Sequence, residues 1–152
     1  MLDLEEELRC VLGVLDEAAI PYALCGGLAV AVHGHPRATI DIDLLVREDG
    51  VARATDLAGT LGFTFKAGPM TFHDGAVPIH RVTKIDADGD TLMLDMLVVT
   101  AQTEQVWLTR EVREWSGRPI SVVSREGLIA LKRLRSSAQD LADIAALTEN
   151  AP

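Results

Sequence analysis

In the segment Thr39-Ile40-Asp41-Ile42-Asp43-Leu44-Leu45-Val46, two carboxylates separated by one residue sit inside an otherwise apolar run. Side chains on a strand alternate between faces, so Ile40, Ile42 and Leu44 point one way and Asp41 and Asp43 the other, with their carboxylate-bearing carbons roughly 6–7 Å apart. Both carboxylates then reach one site. Asp is depleted in strands, and a carboxylate that leaves water without a partner either shifts its pKa or recruits a cation. Hard oxygen ligands at this spacing suit magnesium or manganese better than zinc. A strand with one solvated face is the plainer explanation of an isolated Asp-x-Asp, so the rest of the chain has to decide.

A second carboxylate stands out in Leu92-Met93-Leu94-Asp95-Met96-Leu97-Val98-Val99, which is apolar on both faces except for Asp95. Such a run implies a central buried strand. A lone carboxylate there needs either a cation or an ion pair, for which Arg81 on the adjoining strand is the candidate. Gly26-Gly27 supplies the complementary chemistry. A glycine pair leading from a strand into a helix lets backbone N–H groups approach a phosphate, with the positive end of the helix dipole behind them. Most glycine pairs are only turns.

The elements that must position these residues are legible in outline. Leu4, Leu8, Val11, Leu12 and Leu15 recur at helical spacing, with Asp and Glu crowded into the first turn, and Pro21 ends that unit. Residues 22–25 read as a short strand, Gly26-Gly27 as a tight turn, and residues 28–32 as a small helix closed by Gly34 and Pro36. After the Asp41/Asp43 strand come a helix over residues 50–61, an edge strand over 63–65 and a loop around Gly68-Pro69 and Gly75. Residues 79–85 and 91–99 form two strands joined by Asp86-Ala87-Asp88-Gly89-Asp90, a hairpin signal. A short helix over 102–108, a polar turn at Ser116-Gly117-Arg118-Pro119 and a strand over 120–123 follow. Ser124 caps a helix containing Leu128, Ile129, Leu131 and Leu134, and Ser137 caps a last helix through Leu141, Ile144, Ala145 and Leu147. Strands and helices mix without strict alternation, which gives an α+β class. No repeat or linker divides the chain, so residues 1–152 are expected to form one domain.

Composition narrows the function. The 152 residues are 48% hydrophobic and 24% charged, an ordinary globular balance. Aromatics at 4% argue against a stacking surface for single-stranded nucleic acid, and the net charge of −9 does not favour a phosphate backbone. No apolar stretch reaches membrane-spanning length and the first residues are acidic, so a cytoplasmic protein without a membrane partner is expected. Cys10 and Cys25 lack metal or disulfide spacing and read as small core residues.

Taken together, strand, Gly26-Gly27, helix, the Asp41-Ile42-Asp43 strand and Asp95 in a later apolar strand resemble the minimal nucleotidyltransferase family of the polymerase-beta-like superfamily. The segment from Gly26 to Asp43 looks closest to the abortive-infection and type IV toxin-antitoxin nucleotidyltransferases. Many superfamily members carry Gly-Ser where this chain has Gly26-Gly27, so a hydroxyl that would touch a phosphate is absent. The resemblance implies the nucleotidyltransferase (polymerase-beta-like) fold, a mixed central sheet flanked by helices. It makes Asp41 and Asp43 ligands to two divalent ions, Mg2+ or Mn2+, and Asp95 the third carboxylate. Asp95 would help hold the metal that acidifies an acceptor hydroxyl, and would take its proton as the hydroxyl attacks the α-phosphate of a nucleoside triphosphate. Pyrophosphate would leave along Gly26-Gly27.

The same resemblance extends to Leu128-Ile129-Ala130-Leu131-Lys132 and Gln139-Asp140-Leu141-Ala142-Asp143-Ile144. Lys132 either reaches the β- or γ-phosphate or snorkels to the surface. Asp140, three residues after Ser137, is explained by helix capping, and Asp143 would orient Lys132 or an Arg. Arg37 either neutralises phosphate charge or lies on the surface. His33, His35, His73 and His80 carry no assignment, and Lys132, Arg133 and Arg135 form a basic cluster whose plainest meaning is a solvated helix face.

The expected activity is metal-dependent transfer of a nucleoside monophosphate to an acceptor hydroxyl on a protein, a tRNA or a small molecule, with a cognate toxin or antitoxin as partner. A tRNA acceptor requires a basic strip including Lys132, Arg133 and Arg135 at the cleft mouth. Aminoglycoside or lincosamide modification uses the same chemistry on a drug hydroxyl, although nothing in the sequence marks a drug pocket. The alternative is a non-catalytic, antitoxin-like module that binds nucleotide or a partner on the same fold.

Overall fold

The run carrying Asp41 and Asp43 forms a strand in the middle of a mixed sheet. A computed structural model describes residues 1–72 and 77–149; His73, Gly75 and the last three residues lie outside the described residues. In chain order the elements are α1 (Leu4–Glu17), β1 (Ala23–Cys25), α2 (Gly26–Val32), β2 (Asp41–Val46), α3 (Glu48–Thr60), β3 (Phe63–Lys66) and β4 (Met70–Phe72). They continue with β5 (Val77–Ile85), β6 (Thr91–Val98), α4 (Glu104–Leu108), β7 (Glu111–Trp115), β8 (Arg118–Val122), α5 (Arg125–Arg135) and α6 (Ala138–Glu149).

The strands run in the order β3-β5-β6-β2-β1-β8-β7, with β4 also on β5. Two parallel pairings, β2 with β6 and β1 with β8, are set among antiparallel ones. Both parallel pairs need long crossovers, which the intervening helices supply. This is the α+β architecture with a mixed sheet flanked by helices.

Each face of β2 packs against a different helix group. Val46 lies beside α3, where an added Cβ at Gly50 would stand 3.3 Å from Val46 Cγ1. On that side α1 packs on α3, burying Leu8, Val11, Leu12 and Leu15. On the face of Asp41 and Asp43 sit α2, α5 and α6, with α4 against α5. Local signals start these helices where expected. Asp3 accepts the Glu6 N–H at 3.0 Å, and Ser124 Oγ accepts the Gly127 N–H at 3.0 Å. In the β5–β6 hairpin Asp86 Oδ1 accepts from the N–H groups of Asp88 and Asp90.

Several expectations need correction. Helix α2 begins at Gly26, so the glycine pair is its first turn and not a separate turn before it. Strand β2 begins at Asp41, leaving Ile40 72% exposed ahead of it. Residues 111–115, which carry no strand signal, form β7, and Ser116-Gly117 is the turn of a β7–β8 hairpin. Met70–Phe72 adds β4 where a loop was expected. Cys10 is exposed, because it sits on the outer side of α1, whereas Cys25 is buried as expected.

Candidate active site

Strand register places the chemistry in one row. Cys25 on β1 is paired with Asp43 on β2, Asp43 with Asp95 on β6, and Asp95 with Arg81 on β5. Paired residues project to the same face, so four adjacent strands present a thiol, two carboxylates and a guanidinium side by side. Asp41, two residues before Asp43, shares that face. The ligand atoms of Asp41, Asp43 and Asp95 all lie within 4.8 Å of one another.

The three carboxylates are not equivalent. Arg81 donates to Asp95 through Nε at 2.7 Å and Nη2 at 2.9 Å, a two-pronged pair with Asp95 5% exposed. Of the two explanations offered for Asp95, the ion pair with Arg81 is therefore present, and it stands inside the carboxylate cluster. Thr39 Oγ1 donates to Asp41 at 3.3 Å. Asp43 has no such partner among the described residues. Burial, reinforced by the neighbouring Asp41 and Asp95 charges, pushes its carboxyl up to about 7. Burial also pushes the Cys25 thiol well above its ordinary value, with the Asp43 charge adding to the effect, which disfavours the thiolate.

The glycines are required by this crowding. An added Cβ at Gly26 would meet Asp43 Cγ at 2.7 Å, and the residue has a φ of +68°. At Gly27 an added Cβ would meet Thr39 Oγ1 at 2.8 Å and Arg37 Nη2 at 3.1 Å. Both positions are thus filled by side chains of the site itself. The Cys25 side chain at the start of α2 makes no capping hydrogen bond to that helix.

Opposite the carboxylates, α5 and α6 carry a chain of alternating charges. Arg37 Nε and Nη2 donate to Asp143 at 2.9 Å each. Lys132 Nζ stands 2.8 Å from Asp143 and 3.6 Å from Asp140, and Arg135 donates to Asp140 through two nitrogens at 2.8 Å. Burial works against both carboxylates, yet the Arg135 guanidinium and Ser137 hold Asp140 well below its usual range. For Asp143, Arg37 and Lys132 likewise outweigh burial and lower it.

These contacts revise the sequence reading. Lys132 is 4% exposed and ion-paired, so it neither snorkels nor swings freely towards a phosphate. Asp143 orients Lys132 and Arg37, as expected of it. Asp140 does form a capping box, accepting from Ser137 N while Ser137 Oγ accepts the Asp140 N–H, but it also binds Arg135. The basic cluster therefore divides: Lys132 and Arg135 line the cleft, but only Lys132 is buried there, while Arg135, like Arg133, is exposed. Arg135 was missed as a site residue because its partner lies beyond a helix break, where no spacing rule connects them. His33 is buried, its Nε2 2.8 Å from the Val123 carbonyl, and joins the end of α2 to the residue just after β8.

The cleft between these two walls is lined by Gly26, Asp43, Asp95, Leu128, Leu131, Lys132 and Arg135. Comparison with solved structures matches its framework. The lincosamide antibiotic adenylyltransferase LnuA, in a lincomycin-bound structure, superposes with a TM-score of 0.63 at 15% identity over 97% of this chain and 98% of that one. The chain has the nucleotidyltransferase fold. ANT(2")-Ia, in complex with adenylyl-2"-tobramycin, gives 0.65 at 15% identity over 93% and 86%. TM1012 from Thermotoga maritima, assigned as a nucleotidyltransferase, gives 0.62 at 19% identity over 99% and 97%. No protein-family model and no curated protein sequence matches the chain.

Proposed function

We propose that the protein is a metal-dependent nucleotidyltransferase that moves a nucleoside monophosphate from a nucleoside triphosphate to the hydroxyl of a small molecule. One observation carries this reading: Asp41, Asp43 and Asp95 converge within 4.8 Å while, among the described residues, only Asp95 has a cationic partner. The donor set fits a divalent ion. It is all oxygen, and Asp43, pushed up to about 7 without one, lacks the charge partner that its position demands. Asp41, Asp43 and Asp95 would hold Mg2+ or Mn2+. When bound, the ion supplies charge neutralisation for the triphosphate and acidifies the acceptor hydroxyl.

The chain's own groups account for the remaining roles. Arg81 fixes the orientation of Asp95, which would take the proton of the acceptor hydroxyl. As that oxygen bonds to the α-phosphorus, the bond to the β-phosphate breaks and pyrophosphate departs. The first N–H groups of α2 at Gly26 and Gly27, with Arg37 above them, form one side of the path for the phosphates. Lys132 and Arg135 form the other side, held in place by Asp140 and Asp143, so their positive charge is preorganised.

A small acceptor is favoured by the state of the basic cluster. The strip that a tRNA would require is broken, since Lys132 is buried in ion pairs and Arg135 is bound to Asp140. The named acceptors of the similar folds, lincomycin and tobramycin, are also small hydroxyl compounds. Incubation with each labelled nucleoside triphosphate, magnesium and cell extract should label a small-molecule fraction. Transfer that persists in an Asp41→Ala, Asp43→Ala double variant would sink the mechanism. Label on protein or RNA would instead support the other acceptors and the toxin–antitoxin setting, and a failure to bind nucleotide would support the non-catalytic module.

A further inference from the structure

Strand β7 closes one side of the sheet, and among the described residues it pairs only with β8. Both turn residues between them have positive φ, 50° at Ser116 and 78° at Gly117, the signature of a two-residue type I′ hairpin. Trp115 and Arg118 are then a hydrogen-bonded pair, and alternation along the ladder turns the N–H and C=O of Val112 and Glu114 away from β8. Ser121, opposite Val112, agrees, since its N–H donates to the Tyr22 hydroxyl on the other side. The Val112 side chain is 72% exposed.

The charges along this edge are self-complementary. The sequence is Arg110-Glu111-Val112-Arg113-Glu114. If a second copy aligns antiparallel about a two-fold axis at Val112, Val112 faces its counterpart and each Glu111, paired within its own strand to Arg113, also faces an Arg113 of the other copy. Moving the axis to lie between Val112 and Arg113 sets Glu111 against Glu114, and moving it onto Arg113 sets like charges face to face. The axis at Val112 also coincides with a residue whose backbone groups point outward, so the two copies can exchange N–H···O=C bonds there. Charges on an edge strand ordinarily keep other strands away, which requires no such symmetry.

We propose that β7 pairs with β7 of a second copy about a two-fold axis at Val112, joining the two sheets into one. The interface is isologous, and it lies three strands from β2, leaving both carboxylate clefts open.

Sedimentation equilibrium of the full chain, carried to about 100 μM, tests this by mass action. The wild type should approach twice the 16.4 kDa chain mass. Glu111→Arg places two like-charge pairs across the axis and should weaken the dimer on the order of tenfold or more. Adding Arg113→Glu restores opposite charges and should restore the dimer. Val112→Pro removes the central N–H, which the ladder turns away from β8, so it should give a folded monomer by circular dichroism and sedimentation. A wild type that stays monomeric throughout overturns the proposal. So does Glu111→Arg or Val112→Pro dimerising as the wild type does, or a charge-swapped double variant that stays as monomeric as the single one.

Discussion

Asp43 stands between two carboxylates with Gly26 packed against it, and its proton follows from that position. Its folded-state pKa of about 7 lies above the ordinary value of 3.8, so the folded protein keeps a proton that the unfolded chain releases. Without metal, stability is therefore highest at low pH with respect to this group, and is lost as pH rises from about 4 through about 7, by on the order of 4 kcal/mol. Thermal melts of metal-free protein should show this decline between pH 5 and 8, and Asp43→Asn should remove it while raising the melting temperature at pH 8. The same proton competes with a cation, so Mn2+ should bind about tenfold more tightly at pH 8 than at pH 6 by calorimetry. Equal affinity at the two pH values would place the ion elsewhere. The carboxylates were legible in the sequence because a charge inside an apolar strand is an anomaly wherever it occurs. The pairing of Arg135 with Asp140 was not, although the capping role of Asp140 was, because the two side chains meet only where the chain folds back at Ser136.

Helix α2 and the α5–α6 pair position the site by close packing and buried ion pairs, and each can be broken singly. Gly26→Ala adds a Cβ into the Asp43 carboxyl at a positive φ, and should cost on the order of 2–4 kcal/mol in chemical denaturation. Asp143→Ala leaves Arg37 without its carboxylate and buried Lys132 with only the longer 3.6 Å contact to Asp140, and should cost on the order of 3 kcal/mol. Changing Asp143 and Lys132 together to apolar residues should recover much of that loss. A double variant as unstable as Asp143→Ala alone would show that Lys132 is not the stranded charge. Most elements were readable because their buried faces impose a period of 3.6 or 2 on the sequence. Strand β7 was not, since its three central residues are exposed and impose no apolar alternation. Met70–Phe72 was hidden by the glycine and proline just before it.

Across the whole molecule the charge of −9 sets the partners. Arg37, Arg81, Lys132 and Arg135 are each engaged by a carboxylate. We expect no retention of tRNA at physiological salt in a gel-shift assay, and no steep salt dependence of any residual binding. A slope of several ions released would argue for a nucleic-acid acceptor. The fold class was legible from the mixture of strand and helix signals, but the strand order was not. Which strands become neighbours is decided by packing of segments far apart in the chain.

The row Cys25, Asp43, Asp95 and Arg81 comes from four separate strands, and β2 meets β6 only after half the chain has been made. A slip of one residue between β2 and its neighbours would turn Asp41 and Asp43 towards α3 and the apolar layer beneath it. Misaligned intermediates thus bury two charges among aliphatic side chains, while the correct alignment gathers them at a cleft. The groups proposed for catalysis would consequently also proofread the alignment of the sheet, and cation binding there would report that the whole fold, and not any fragment of it, has been assembled.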